Sequence, residues 1–342
     1  MTRHLALAAV ALVGCGRAAE PPQAPAPAPA LALDAAVAAS PSRVLAVEFD
    51  SAALGVRKRY RAYLPAGYDD APARRYPVIY MLHGLGDDED GWLDGGHLAE
   101  AADAIGLQAI VVMPDGDAGF YANWARPDDP EACAAVGNPF NPRQAPASYC
   151  VATPAYEDYV VRDLVDHVDA TYRTIAARRG RGIGGLSMGG FGALVLAMRH
   201  VDRFAAAASH SGVDSLLYRG PFPYEPGKGV LLDDVSQWGR ALGPLGMHVR
   251  RIFGADAAVW RGHEPTLLAA KLAPGDLAIY LDCGSEDGLG LNNQAQYLHE
   301  VLTARGLAHA WYLGPGGHDF DFWSQRIDDS LGFFAGALAR PE

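Results

Sequence analysis

The sequence predicts an α/β fold on a mostly parallel central sheet with helices on both faces. Three observations carry this. Pro77 to Leu82 and Ala109 to Met113 are short continuous apolar runs, the composition of strands buried on both faces. Segments of strand and helix character alternate along nearly the whole chain. Gly185-Leu186-Ser187-Met188-Gly189 joins a strand to a helix in the pattern G-x-S-x-G, which lifts a serine above a sheet edge.

Val44 to Asp50 and Val56 to Leu64 read as the first strands. The second alternates apolar and basic residues, which suits an edge with one wet face. Leu98 to Ile105 is helical in composition and lies between the two apolar runs. Tyr156 to Tyr172 is a stronger helix, with Val160, Leu164, Val165 and Val168 on one stripe. The strand Arg181 to Leu186 leads into a helix from Met188. Phe204 to Ser209 and Leu277 to Cys283 are further strands. Asn292 to Arg305 is a helix, Ala308 to Leu313 the last strand, and Ser324 to Leu338 a closing helix. Val213 to Leu272, rich in Gly, Pro and aromatics, breaks the alternation and reads as loops and short helices near the sheet's carboxyl edge.

The N-terminus reads as an address. Leu5 to Val13 is apolar but too short to span a bilayer, and Leu12-Val13-Gly14-Cys15 resembles a bacterial lipobox. The expectation is a signal over residues 1–14, a lipid on Cys15 and a Pro/Ala-rich tether over 15–41. A catalytic domain follows over 42–342, on the periplasmic or outer face of a bacterium. Outside the cytoplasm disulfides persist, so Cys133 and Cys150, close together in a loop rich in Pro, Asn and Gly, are expected to pair. Cys283 ends an apolar run and reads as a buried free thiol. The net charge of −12 over 342 residues argues against a nucleic-acid partner.

Ser187 needs a base, and the base an orienting acid. His200 ends the elbow helix, His299 lies in a helix and His309 in a strand. His318 differs: Gly314-Pro315-Gly316-Gly317-His318-Asp319-Phe320 follows the last strand directly. The acid belongs after the preceding strand, in Cys283-Gly284-Ser285-Glu286-Asp287-Gly288. Asp287 at the loop tip is favoured, Glu286 competes with it, and Asp282 lies deeper. His83-Gly84-Leu85-Gly86 follows an earlier strand, so the backbone N–H groups of Leu85 and Met188 are the expected oxyanion hole, each worth about 3–4 kcal/mol in a transition state.

These motifs, with Trp92, Tyr156-Glu157-Asp158-Tyr159 and Trp323, resemble the esterase family of α/β-hydrolases. That family includes S-formylglutathione hydrolase (esterase D), antigen 85 mycolyltransferases, enterochelin esterase-like proteins and feruloyl esterase domains. The resemblance runs from about residue 44 to 338. It implies Ser187 as nucleophile, His318 as base, Asp287 as acid and Leu85 and Met188 as oxyanion donors. The Gly-Gly-His-Asp-Phe stretch and following Trp323 are similar to the feruloyl and acetyl esterase branch. The long Val213 to Leu272 segment and the Cys133 to Cys150 insertion depart from it.

The implied function is a secreted, lipid-anchored serine carboxylesterase acting on small or carbohydrate-linked esters of acetyl or feruloyl type. It works through an acyl-enzyme, with no metal or cofactor. Activity is expected to fall below about pH 6–7, where an ordinary histidine protonates. Alternatives are an acyltransferase on the same residues and a silent binding lipoprotein. Among the loop aromatics Trp92, Phe120, Tyr121, Trp124, Trp238 and Trp323, the expected substrate contacts are Trp92, Trp124 and Trp323; Gly119 to Trp124 is the best candidate segment.

Overall fold

Among the described residues ten strands form, eight of them in one sheet. They are β1 (Arg43–Ser51), β2 (Val56–Leu64), β3 (Val78–Leu82), β4 (Ile110–Pro114), β5 (Arg181–Leu186), β6 (Ala206–His210), β7 (Tyr218–Gly220), β8 (Val230–Leu231), β9 (Ala278–Gly284) and β10 (His309–Gly314). The computed structural model describes residues 39–342, so the expected signal, Cys15 and most of the tether lie outside the described residues. The sheet order is β1-β2-β4-β3-β5-β6-β9-β10, and β7 and β8 make a separate hairpin. β1 and β2 pair antiparallel with each other, β2 pairs antiparallel with β4, and all later neighbours are parallel.

The apolar runs divide by alternation. Val78, Tyr80 and Leu82 enter one core and Ile79 and Met81 the other. Val160, Leu164 and Val168 cover the first face together with the Met188–Arg199 helix, which is buried from Met188 to Met198. Leu98 and Ala102, with Ile327, Leu331 and Phe334 of the last helix, cover the second. The long helix is wound in three pieces, α-helical at Tyr156–Asp158 and Val165–Thr171 and π-helical at Tyr159–Leu164. Residues 213–272 form the β7/β8 hairpin and short helices, with Gly243–Phe253 the longest.

Two expectations change. β2 is not an edge: β1 lies outside it, and Lys58 faces inward with Tyr60, Ala62 and Leu64 because two buried carboxylates receive it. The last helix is Phe320–Ala337 and starts at once after the histidine loop. Its start is fixed by Asp319, whose Oδ1 accepts the Phe322 N–H at 3.1 Å. Cys133 and Cys150 form a disulfide with Cα atoms 5.6 Å apart, and Cys283 is free and buried.

Candidate active site

Ser187 sits alone between β5 and its helix, at φ 53° and ψ −117°. A residue with a side chain enters this region only when its surroundings hold it there. Its N–H donates to the His210 carbonyl at 2.9 Å, and its own carbonyl accepts the Phe191 N–H at 3.1 Å. The flanking glycines are a steric necessity. A Cβ on Gly185 would stand 2.5 Å from the Gly189 carbonyl carbon and 2.8 Å from the Leu82 oxygen. One on Gly189 would run into the Leu82 carbonyl from the other side.

The loops after β9 and β10 bring the other two groups to the serine. His318 Nε2 lies 2.9 Å from Ser187 Oγ, and its Nδ1 lies 2.8 Å from Asp287 Oδ2. Asp287 Oδ1 accepts the Leu289 N–H at 2.8 Å. Burial opposes ionisation of Asp287, but His318 and the N–H groups of Leu289 and Leu291 outweigh it and hold its pKa below the ordinary carboxylate value. An ionised acceptor on Nδ1 fixes that nitrogen as the protonated one and leaves Nε2 to accept from the serine. Asp282, by contrast, is fully buried and 2.8 Å from His210 Nδ1 beneath the elbow.

The Leu85 loop lies against the elbow. A Cβ on Gly84 would stand 2.6 Å from Leu186 Cδ1 and 3.5 Å from Ser187 Cβ. His83 pins this loop: its Nε2 accepts the Gly116 N–H at 2.8 Å, so Nδ1 carries the proton and donates to the Gly84 carbonyl at 2.7 Å. Tyr121 Oη donates to the His83 carbonyl at 3.0 Å. Among the described residues, the N–H groups of Leu85 and Met188 donate to no backbone carbonyl, so both stay free for a ligand.

Residues 51–334 match the Esterase family, whose description reads "Putative esterase". The chain belongs to the Esterase family. It is 31% identical over 280 residues to Esterase Rv1288 of Mycobacterium tuberculosis, covering 80% of this chain and 55% of that one. It thus spans about half the length of that relative. A diacylglycerol acyltransferase/mycolyltransferase Ag85B of Mycobacterium avium is 28% identical over 256 residues, covering 72% of this chain and 67% of that one. Among solved structures, an S-formylglutathione hydrolase from Agrobacterium tumefaciens superposes with a TM-score of 0.62 at 20% identity, covering 87% and 95% of the two chains. A ferulic acid esterase does so at 0.58 and 22%, covering 87% and 100%. At these identities the structures speak for the fold, an α/β-hydrolase.

The three tryptophans of this esterase-family chain part company. Trp92 is 1% exposed and donates its indole N–H to the Leu82 carbonyl at 2.9 Å, so it is a core residue and no substrate contact. Trp323 is also buried; it stands edge-on to the His318 ring at 5.0 Å and donates to Ser211 Oγ at 3.1 Å, so it backs the imidazole. Trp124 lines a cavity of about 470 Å³ with Phe140, Tyr149, Met247 and His248. Phe120 and Tyr121 are buried, and Trp238 packs on Trp260 at 5.3 Å.

A larger open cavity of about 1190 Å³ is lined by residues that follow the Leu85 loop and the histidine loop, with Arg57 and Arg59 of β2. Gly86 beside Leu85 and Phe320 just after His318 line it, with Asp87, Asp90, Asp94 and Arg143. The sequence reading missed the polar group behind this cavity. Lys58 Nζ lies 2.9 Å from Asp115 Oδ2 and 2.8 Å from Asp117 Oδ1, all buried. Tyr156 Oη donates to Asp117 Oδ2 at 2.6 Å, and Gln144 of the disulfide-bounded insertion also donates to Asp117. The available signal was parity: Lys58 falls on the same face of β2 as Tyr60 and Ala62.

Proposed function

We propose that this chain is a serine carboxylesterase acting on small or carbohydrate-linked esters. The observation that carries the reading is the unbroken hydrogen-bonded relay Ser187–His318–Asp287 beside two free N–H donors. In the proposed cycle His318 Nε2 takes the Ser187 proton as Oγ attacks the ester carbonyl carbon. The Leu85 and Met188 N–H groups hold the oxyanion. The tetrahedral adduct collapses, the C–O bond to the alcohol breaks, and His318 returns the proton to the leaving oxygen. Water repeats the steps in reverse order of roles and frees the acid and Ser187.

The carboxylate-lined cavity favours a polyhydroxylated alcohol, because carboxylates accept hydrogen bonds from sugar hydroxyls while the Phe320 ring offers an apolar face. Secretion and lipid attachment at Cys15 belong to the same proposal, and the Cys133–Cys150 disulfide supports an oxidising compartment. A second reading, acyl transfer to an alcohol in place of water, is supported by the likeness to Ag85B.

The test is hydrolysis of p-nitrophenyl esters of graded chain length and of methyl ferulate, by the protein and its Ser187→Ala variant. Turnover lost in the variant is expected. Turnover that survives it, or a well-folded protein inert on every ester, would overturn the hydrolase reading. Product that forms only when an alcohol acceptor is added would favour transfer.

A further inference from the structure

Glu286 stands beside the acid and outside the relay. Its side chain reaches the loop that carries the base. Glu286 Oε2 accepts the Gly316 N–H at 2.5 Å, two residues before His318. Its backbone N–H donates to the Gly316 carbonyl at 3.0 Å. Ser285 contributes twice: its N–H donates to the Gly314 carbonyl at 2.7 Å, and its hydroxyl donates to Glu286 Oε1 at 2.8 Å. The Asn292 side chain steadies the same turn by donating to the Ser285 carbonyl at 2.9 Å.

From these contacts we infer that Glu286 is a positioning residue, which clamps the histidine loop to the acid loop so that His318 stays aligned between Asp287 and Ser187. The inference rests on the proposed role of His318.

The reasoning is geometric. β9 and β10 are parallel neighbours, and their pairing ends at Gly284 and Gly314. Beyond that register nothing in the sheet holds the two loops together. Gly316 has φ 140°, a conformation that glycine alone adopts freely, so the histidine loop is intrinsically pliable at this point. The clamp therefore sits where the backbone is softest. It closes both polar groups of Gly316, the N–H on the Glu286 side chain and the carbonyl on its backbone. The Gly316 N–H and Ser285 hydroxyl also hold the Glu286 pKa below the ordinary glutamate value, so the accepting carboxylate is ionised at neutral pH.

The experiment compares Glu286→Ala and Glu286→Gln with the parent protein by steady-state ester hydrolysis and by amide hydrogen exchange of the 314–323 segment. Glu286→Ala is expected to lower kcat about tenfold with KM within about twofold, because misalignment harms the transition state more than ground-state binding. Exchange at 314–323 is expected to quicken, and Glu286→Gln, which keeps an acceptor, to recover most of the loss. The inference is overturned if Glu286→Ala keeps the parental kcat, if its loss lies in KM, or if glutamine is no better than alanine. A parent protein without turnover overturns the hydrolase reading instead. In that case unchanged exchange at 314–323 in Glu286→Ala still overturns the clamp.

Discussion

Gly185→Ala is the sharpest test of how backbone space sets activity here. The new Cβ would lie 2.5 Å from the Gly189 carbonyl carbon and oxygen, and 2.8 Å from the Leu82 oxygen. Ordinary contact begins at 3.4 Å, so elbow and strand must separate by about 0.9 Å. All three obstructing atoms are backbone, and none can rotate away. Overpacking of this kind costs about 1–3 kcal/mol of stability. The larger effect falls on the reaction. A displacement of about 1 Å between reacting groups costs on the order of 100-fold in rate, or about 2.7 kcal/mol of barrier. The assay is kcat/KM on p-nitrophenyl acetate beside a thermal melt, with Gly332→Ala as control. Gly332 has open space around its Cβ position and lies inside the last helix, so alanine there is expected to stabilise by about 1 kcal/mol and leave kcat/KM unchanged. A Gly185→Ala protein with parental stability and activity within threefold of the parent would refute the steric account of the elbow.

Two further outcomes concern the buried charges. Lys58→Met leaves Asp115 and Asp117 facing each other without their cation, and loss of one partner from a buried group of this kind costs about 3–5 kcal/mol. The melting temperature is expected to fall by about 6–10 °C, and a fall under about 2 °C would contradict the assignment. Burial and the Asp115 charge, opposed by Lys58, raise the Asp117 pKa to about 6. The folded chain therefore binds that proton more tightly than the unfolded one, so the Asp117 contribution to stability is present below about pH 4 and lost as pH rises through about 6. Melts of the parent and of Asp117→Asn from pH 4 to 7 are expected to diverge in slope over this window, and parallel curves would count against it.

The alternation of elements was legible because each buried strand carries its own signal, a short apolar run that needs no partner to be recognised. The meeting of Ser187, Asp287 and His318 was legible for a related reason: each stands in a glycine-rich turn or loop that follows a strand. What stayed hidden depends on residues distant in the chain. Nothing near Lys58 announces that Asp115 and Asp117, just beyond β4, will meet it, so a buried lysine reads as a wet one. Trp92 and Trp124 are chemically alike, and only their tertiary surroundings, a buried site with the Leu82 carbonyl for the first indole N–H and a cavity wall for the second, separate core from cavity. Glu286 and Asp287 are adjacent carboxylates, and their division of labour appears only once the β10 loop lies beside them. The last helix was read four residues late because its start rests on one capping contact and not on periodicity.

The sheet order has a consequence for how such a protein can diversify. β6 and β9 are hydrogen-bonded neighbours, with His210 opposite Asp282, yet residues 211–277 separate them along the chain. The excursion leaves at the carboxyl end of β6 and, because the two strands are parallel, returns at the opposite end of the sheet to enter β9 beside it. Ser211 holds Trp323, and Val249, Phe253, Trp260 and Leu268 fill the core, so these must stay; the β7/β8 hairpin, which pairs only with itself, is the part that could be exchanged to retune selectivity while Ser187, Asp287 and His318 keep their places.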